Sequence, residues 1–453
     1  MESIQRSLPE LQGAVRYARE ELEEFLRPLW ELFPDRRLQR TAIDLVQGMI
    51  AAQSPHITKA MGVGNGAARR WALSKRGYRL MSSQRVQTRE LTKSLYRLAQ
   101  RTVCEEGAER LVVAIDPVQF EKPYARRMEG VSHVHKSRPP NLEGKARITW
   151  GYPAITATIV NLSRPATTYA HWFSYQSPDF LSQNREVYRA VRTTRTLFPH
   201  QQLCFVMDGG GDDQKFFHWV QKVKGTFIVT VAHKNREVEV WNSRLHRWEP
   251  MSIADLMALV LWRGRFQVHF LRAGKREERQ VRLGWYRIRL PGESDPLWLL
   301  VVETLDADEE NEEERLLGLL TNIPIPDLNA AQQIYQDWRL RGRVEHGYRF
   351  DQEAGLDIEQ LMVRSLDRMQ RLFVFVLWSM HFVTHALHAW PQMIVEWFQL
   401  LGGKLGRKSD RSGLYWLLWG LAHAWNAIAT LSFANAHPFP LPSLEIPLPS
   451  TYG

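Results

Sequence analysis

Residues 203–232 read LCFVMDGGGDDQKFFHWVQKVKGTFIVTVA. A short apolar run ends in Asp208 and three glycines follow. Residues 213–223 then repeat apolar side chains at helical spacing, and GTFIVTVA (225–232) is a second β-branched run. Strand, helix and strand in so short a span are the unit of an α/β sheet. A carboxylate at the carboxyl end of such a strand stands at the mouth of the sheet, where ligands bind. Asp also ends strands as a turn residue, and Gly209–Gly211 make that reading credible here. Asp212 and Asp213 open the helix and read as its capping residues.

Working outward, LVVAI (111–115) is another apolar run that ends in an acid, Asp116. ARITWGYPAITATIV (146–160) and ATTYAHWFSY (166–175) read as long strands, and residues 183–197 as a helix. Residues 235–322 are mostly strand-like, with one helical patch at SIADLMALVL and a solvated acidic loop at 306–314. Residues 1–105 carry helical periodicity, and Ser54-Pro55 reads as an N-cap with proline at the first helical position. From Asn329 the pattern is helical again, until a proline-rich end at PFPLPSLEIPLPSTYG. The divisions expected are a helical region 1–105, an α/β region 106–234, a β-rich block 235–322, a return to the α/β region over 323–400, and a helical region 401–453 with a proline-rich tail.

The formal net charge is +10 and the sequence pI about 9.6, which favours a polyanionic partner, nucleic acid first. Arg69, Arg70, Lys75, Arg76, Arg79, Arg85 and Arg89, with Trp71 and Tyr78 between them, suit a phosphate-contacting face; a solvated helix surface accounts for them equally well. Cys104 and Cys204 are the only cysteines, which excludes a disulfide scaffold or a zinc finger and points to a reducing compartment. The start of the chain is polar and does not read as an export signal. Leu372–Trp390 is uncharged and long enough to span a bilayer, but it contains Ser379, His381, Thr384, His385 and His388 and reads as a buried core helix. His133-x-His135 is too sparse for a metal clip, and no nucleotide-binding glycine fingerprint is present.

A helix is expected over Ala330–Glu353, carrying Glu345 amid Trp338, Arg339, Arg341, Arg343, Tyr348 and Arg349. Arg341 and Glu345, four apart, would share a face. A surface ion pair is the plain reading. A carboxylate among arginines and aromatics also suits phosphodiester chemistry, with the acid on a metal, the guanidinium on a phosphate and the ring on a base.

With these residues in place, the chain resembles the DDE transposases of bacterial insertion sequences, members of the retroviral-integrase superfamily with a ribonuclease H-like core. The likeness is strongest to the subgroup with the signature Y-x2-R-x3-E-x6-K. Arg341 and Glu345 match it; Trp338 stands for the tyrosine and keeps a ring, and Gln352 stands for the lysine without its charge. AIDPVQFEK is similar to the first-Asp motif, VMDGGGDDQKFFHWV with GTFIVTV to the second, and LLTN and AGLDIEQLMVR to the words flanking the signature.

The resemblance implies an α/β, ribonuclease H-like mixed sheet interrupted by a β-rich insertion, with an all-helical N-terminal DNA-binding domain and a helical C-terminal region. It implies Asp116, Asp208 and Glu345 as catalytic residues and ligands of two Mg²⁺ ions, Mn²⁺ substituting, with Trp338, Arg341, Arg349, Gln352, Arg69 and Arg70 on DNA. The activity implied is cutting at insertion-sequence ends and joining of 3′ ends to target DNA. The partners implied are terminal inverted repeats and target DNA, a homodimer on DNA and no membrane, in the bacterial cytoplasm at the nucleoid. The alternatives are a ribonuclease H-like nuclease without strand transfer and a non-catalytic DNA-binding protein. Deleting residues 1–105 is expected to leave the α/β core foldable.

Overall fold

The computed structural model describes residues 2–63, 67–122, 125–136, 147–272, 275–305, 315–343, 356, 358–403 and 413–436. Its strands are β1 (Arg110–Glu121), β2 (Ser132–Lys136), β3 (Arg147–Ile159), β4 (Ala166–Trp172), β5 (Gln202–Met207), β6 (Thr226–Thr230), β7 (Glu237–Asn242), β8 (Arg247–Ser252), β9 (Gly264–Arg272), β10 (Lys275–Arg289), β11 (Leu297–Thr304) and β12 (Leu316–Thr321). They form a single 12-stranded sheet in the order β2-β3-β1-β5-β6-β12-β11-β10-β7-β8, with β4 paired to β3 and β9 to β10. The contacts β1–β5 and β5–β6 are parallel, and the other pairings are antiparallel. The strand-rich block therefore continues the same sheet: β12 pairs with β6, and β11, β10, β7 and β8 extend from it.

The helices are α1 (Glu2–Leu26), α2 (Arg36–Ala52), α3 (Ile57–Gly62), α4 (Ala67–Ser82), α5 (Thr88–Glu106), α6 (Gln183–Leu197), α7 (Gln214–Lys222), α8 (Ile253–Ala258), α9 (Leu328–Arg339), α10 (Leu366–Ala389), α11 (Gln392–Leu401) and α12 (Gly413–Ala436). Several start where a side-chain oxygen meets an orphan N–H: Asp35 accepts from Leu38, Ser182 from Arg185 and Asp327 from Ala330. α3 departs from expectation. Its cap is His56, which accepts from the Lys59 N–H, while the Ser54 hydroxyl accepts from the His56 N–H; Pro55 thus precedes the helix.

Three apolar cores result. One sheet face packs Leu111, Val113 and Ile115 of β1 with Phe205 and Met207 of β5 against α6 and α7. The opposite face packs Val112, Ala114, Cys204, Val206 and Ile228 against Ala331, Ile334 and Tyr335 of α9. Burial there pushes the Cys204 thiol up to about 12. The third core joins α1, α2, α4 and α5 to α10, α11 and α12, and takes in Val118 and Phe120 from the far half of β1.

α10 is the helix among the described residues that is long and apolar enough to cross a membrane, and most of its apolar window is buried inside the protein. Its polar side chains explain the placement. Gln370 accepts from the Trp172 N–H (2.6 Å) and donates to the Ala170 carbonyl (3.1 Å), so it satisfies backbone groups on the free edge of β4. His381 Nε2 lies 3.0 Å from Thr167 Oγ1 on the same strand.

Candidate active site

Side chains alternate along a strand, so even-numbered residues of β1 share one face. Val112 and Ala114 lie in the core under α9, and Val118 and Phe120 lie in the helical core. Asp116 stands between them, half-buried, where that face passes from one apolar core to the other. On β5, Cys204 and Val206 face α9, and Asp208 follows in extended backbone with φ −74° and ψ −167°. The two strands are parallel, and Ala114 pairs with Val206. The same 92-residue step carries Asp116 to Asp208. Neighbouring strands lie about 4.8 Å apart, so both acids stand side by side on one face at the mouth of the sheet.

The backbone after β5 aims Asp208. Its Oδ1 accepts from the Gly210 N–H (2.9 Å), and its carbonyl accepts from the Gly211 N–H, closing one 3₁₀ turn over Gly209–Gly211. A Cβ at Gly211 would lie 2.7 Å from the Met207 Cβ, so only glycine lets the chain turn this tightly. The next two acids take other work. Asp213 caps α7, as its place predicted, accepting from the Lys215 N–H. Asp212 is no cap: it is buried, accepts from the Ala232 and His233 N–H groups (2.9 and 3.0 Å) and pairs with Arg236. It ties the exit of β6 to the turn after β5.

α9 brings Trp338 to the same end of the sheet. Met207 pairs with Val229, so Thr230 is the next register position beside Asp208. The Trp338 indole N–H donates to the Thr230 hydroxyl (3.1 Å), and its ring stacks at 6.2 Å on Tyr335. The helix expected to run on to Glu353 instead ends at Arg339, and Leu340 and Arg341 form a turn. A continuous helix therefore does not carry the Arg341–Glu345 spacing. The Arg341 guanidinium carbon lies 6.0 Å from the Trp338 ring centroid. Arg343 donates to the carbonyls of Val160 (2.5 Å), Leu162 (2.7 Å) and Ser163 (3.1 Å), beside the first residues of β1. Glu345, Arg349 and Gln352 lie outside the described residues. Arg69 and Arg70 are exposed on α4, in the helical part of the chain.

Three features were not foreseen. Asp337, buried on α9, pairs with Arg110 at the start of β1. Arg343 clamps three carbonyls. Beyond the far end of β1, Arg126, Arg127 and Arg364 line an open cleft of about 450 Å³ with Ala125 and Met128. No local pattern marks any of these, because each depends on a partner distant in the chain.

Among the described residues, no group of three or more His, Cys, Asp or Glu side chains is disposed to hold a metal. Asp116 and Asp208 present oxygen donors only, a set suited to a hard divalent cation such as Mg²⁺ or Mn²⁺ and ill suited to zinc.

No protein-family model and no curated protein matches the chain. Among solved structures it is similar to a piggyBac transposase synaptic complex with hairpin DNA, studied by cryo-EM. The identity is 11%, the TM-score 0.41, and the match covers 94% of this chain and 84% of that one.

Proposed function

We propose that this protein is a DDE-type DNA transposase that cuts at the ends of a bacterial insertion sequence and joins the freed 3′ ends to target DNA. The observation that carries the reading is the pairing of Asp116 with Asp208 on one face of two parallel strands. Supporting it is the order β4-β3-β1-β5-β6, an antiparallel meander followed by two parallel strands. The sequence resemblance implies that arrangement as a ribonuclease H-like core.

In this reading Asp116, Asp208 and Glu345 hold two divalent cations. When bound, such ions activate the attacking water or 3′-hydroxyl and stabilise the leaving oxygen. Asp208 is held in one orientation by the Gly210 N–H, which leaves its second oxygen to face the site. Trp338 and Arg341 offer a ring and a cation next to it for a base and a phosphate. The arginine cleft at the end of β1 would steer the duplex backbone past the acids. Terminal repeats, target DNA and a second copy of the chain are the partners, and the host cytoplasm, at the nucleoid, is the place of action.

The test is an assay with full-length protein, Mg²⁺ or Mn²⁺, and duplexes carrying the element's ends, either intact or pre-cut. The reading predicts divalent-dependent nicking, then covalent joining of pre-cut 3′ ends to a plasmid. Cleavage without joining would reduce it to a nuclease. No cleavage by protein that binds DNA would end it.

A further inference from the structure

α3 ends at Gly62 and α4 begins at Ala67, so two helices meet across a connection of four residues, Val63-Gly-Asn-Gly66. Both pack closely with α2. A Cβ at Gly48 of α2 would lie 2.2 Å from the Ala60 carbonyl oxygen of α3, and one at Gly77 of α4 would lie 2.6 Å from Ile57 Cγ2. The Tyr78 hydroxyl on α4 lies 3.3 Å from that of Thr58 on α3. Small residues at the crossings thus seat α3 against both of its neighbours. A short helix, a four-residue turn with glycine and a longer second helix are the proportions of a helix–turn–helix.

α4 has two unlike faces. Ser74, Gly77, Leu80 and Met81 are buried, fixing the helix to the body of the protein. Arg69, Ala72, Arg76 and Arg79 are exposed at steps of three, four and three, so they form one outward stripe. Lys75 lies beside it, 5.2 Å over the ring of Trp71, which is 59% exposed. The helix carries five cations and no carboxylate. An outward, acid-free basic stripe on the second helix of such a unit is complementary to a polyanion that admits a helix, and the major groove of B-form DNA is that site.

We propose that α3 and α4 form a helix–turn–helix that seats α4 in the major groove of duplex DNA, with Arg69 at a base edge and Arg76 and Arg79 on backbone phosphates. The inference rests on the DNA-acting function proposed above and names the element that reads the duplex. Arg69 is in the first turn, the part of a reading helix that meets base edges, and its fork matches guanine O6 and N7. Arg76 and Arg79 are two and three turns further along.

The experiment uses full-length protein in EDTA, so that binding is scored without cleavage. A pool of duplexes with a randomised 30-base-pair centre is put through selection, and the enriched duplex is titrated at several salt concentrations. Wild type should enrich a motif. Arg69→Ala should relax preference at one or two positions, losing roughly ten- to a hundredfold in discrimination there. Arg76→Ala with Arg79→Ala should weaken all duplexes alike and lower the slope of log K against log salt by about 2. Arg185→Ala with Arg192→Ala, exposed on α6, removes the same charge elsewhere and should leave the motif intact and the slope nearly so. An A-form RNA duplex, whose major groove is too narrow for a helix, should compete poorly.

Unchanged motif and slope in the α4 variants, equal losses from the α6 pair, or equal competition by RNA would each overturn the assignment of α4 while leaving the catalytic reading standing. If wild type binds no duplex at all, the DNA-acting function itself falls with it.

Discussion

Arg110, the first residue of β1, pairs through its guanidinium with the buried carboxylate of Asp337 near the end of α9, and Gln333 donates to the same acid at 2.9 Å. The pair pins the end of α9 over the strand that carries Asp116. Hydrogen bonding to Asp337 raises the Arg110 pKa further. Arg110→Ala leaves a buried acid without its cation and is expected to cost about 2 kcal/mol by urea unfolding, the figure for a buried pair discounted because the arginine is partly exposed. Exchanging both residues for apolar ones of similar size should recover most of that loss. An equal loss in single and double variants would argue against the pair.

Asp208 and Asp212 are four apart and should respond differently. Asp116→Asn and Asp208→Asn, at half-exposed positions, are expected to lower divalent-dependent cleavage on the order of 10³-fold or more. Their melting temperatures should stay within about 2 °C of the parent. Asp212→Ala strands Arg236 and two N–H groups, and is expected to cost about 3 kcal/mol in stability. Melting curves read beside single-turnover cleavage separate the two classes. Wild-type cleavage by Asp208→Asn protein would remove that residue from the site.

Two histidines on α10 set an acid limit. Burial, reinforced by the nearby Arg164, pushes His381 and His385 down to about 4. Both are therefore neutral in the fold and take up protons more readily once unfolded, where their ordinary value is near 6.5. Stability they contribute is complete above about pH 6.5 and is lost as pH falls toward 4, at up to about 1 kcal/mol per pH unit for each. Thermal unfolding between pH 7 and 5 should show this decline, and His381→Leu should flatten it. An unchanged slope in that variant would assign the acid sensitivity elsewhere.

Removing residues 1–105 is expected to prevent folding of the remainder, a correction to what the sequence divisions suggest. α10 is covered by the N-terminal helices: the Trp378 indole donates to Ser94 (3.0 Å), Phe33 packs on Trp378, and Phe25 packs on Phe382. Without them a large aromatic face meets water. The fragment 106–453 should be recovered as aggregate or as a species that binds hydrophobic dye. A soluble fragment with a cooperative melt would show that the sheet stands alone.

Much of this was legible in the residues themselves. LVVAI and LCFVM form strands that end next to Asp116 and Asp208, residues 183–197 form α6, and ARITWGYPAITATIV forms β3, because alternation and apolar periodicity are local properties. Leu372–Trp390 is buried, and its polar positions are the ones that bind β4. The stop of α9 at Arg339 was not legible. Nothing between Ala330 and Glu353 breaks a helix except Gly342 and Gly347, and residues after the stop bond to distant groups: Arg343 exchanges the continuation for three carbonyls of residues 160–163. Asp212 likewise reads as a cap, and only Ala232, His233 and Arg236 reveal otherwise.

By itself the chain's order of residues determined the alternation of strands and helices, the basic balance and the two acids that end apolar runs. Tertiary structure alone decided that those acids are neighbours, that the strand-rich block extends their sheet, and that the N-terminal helices share a core with α10. The reason is physical. Periodicity follows from the geometry of one element, whereas register and charge pairing are set by contacts between segments far apart in sequence, as with Asp116 and Asp208 or Arg110 and Asp337.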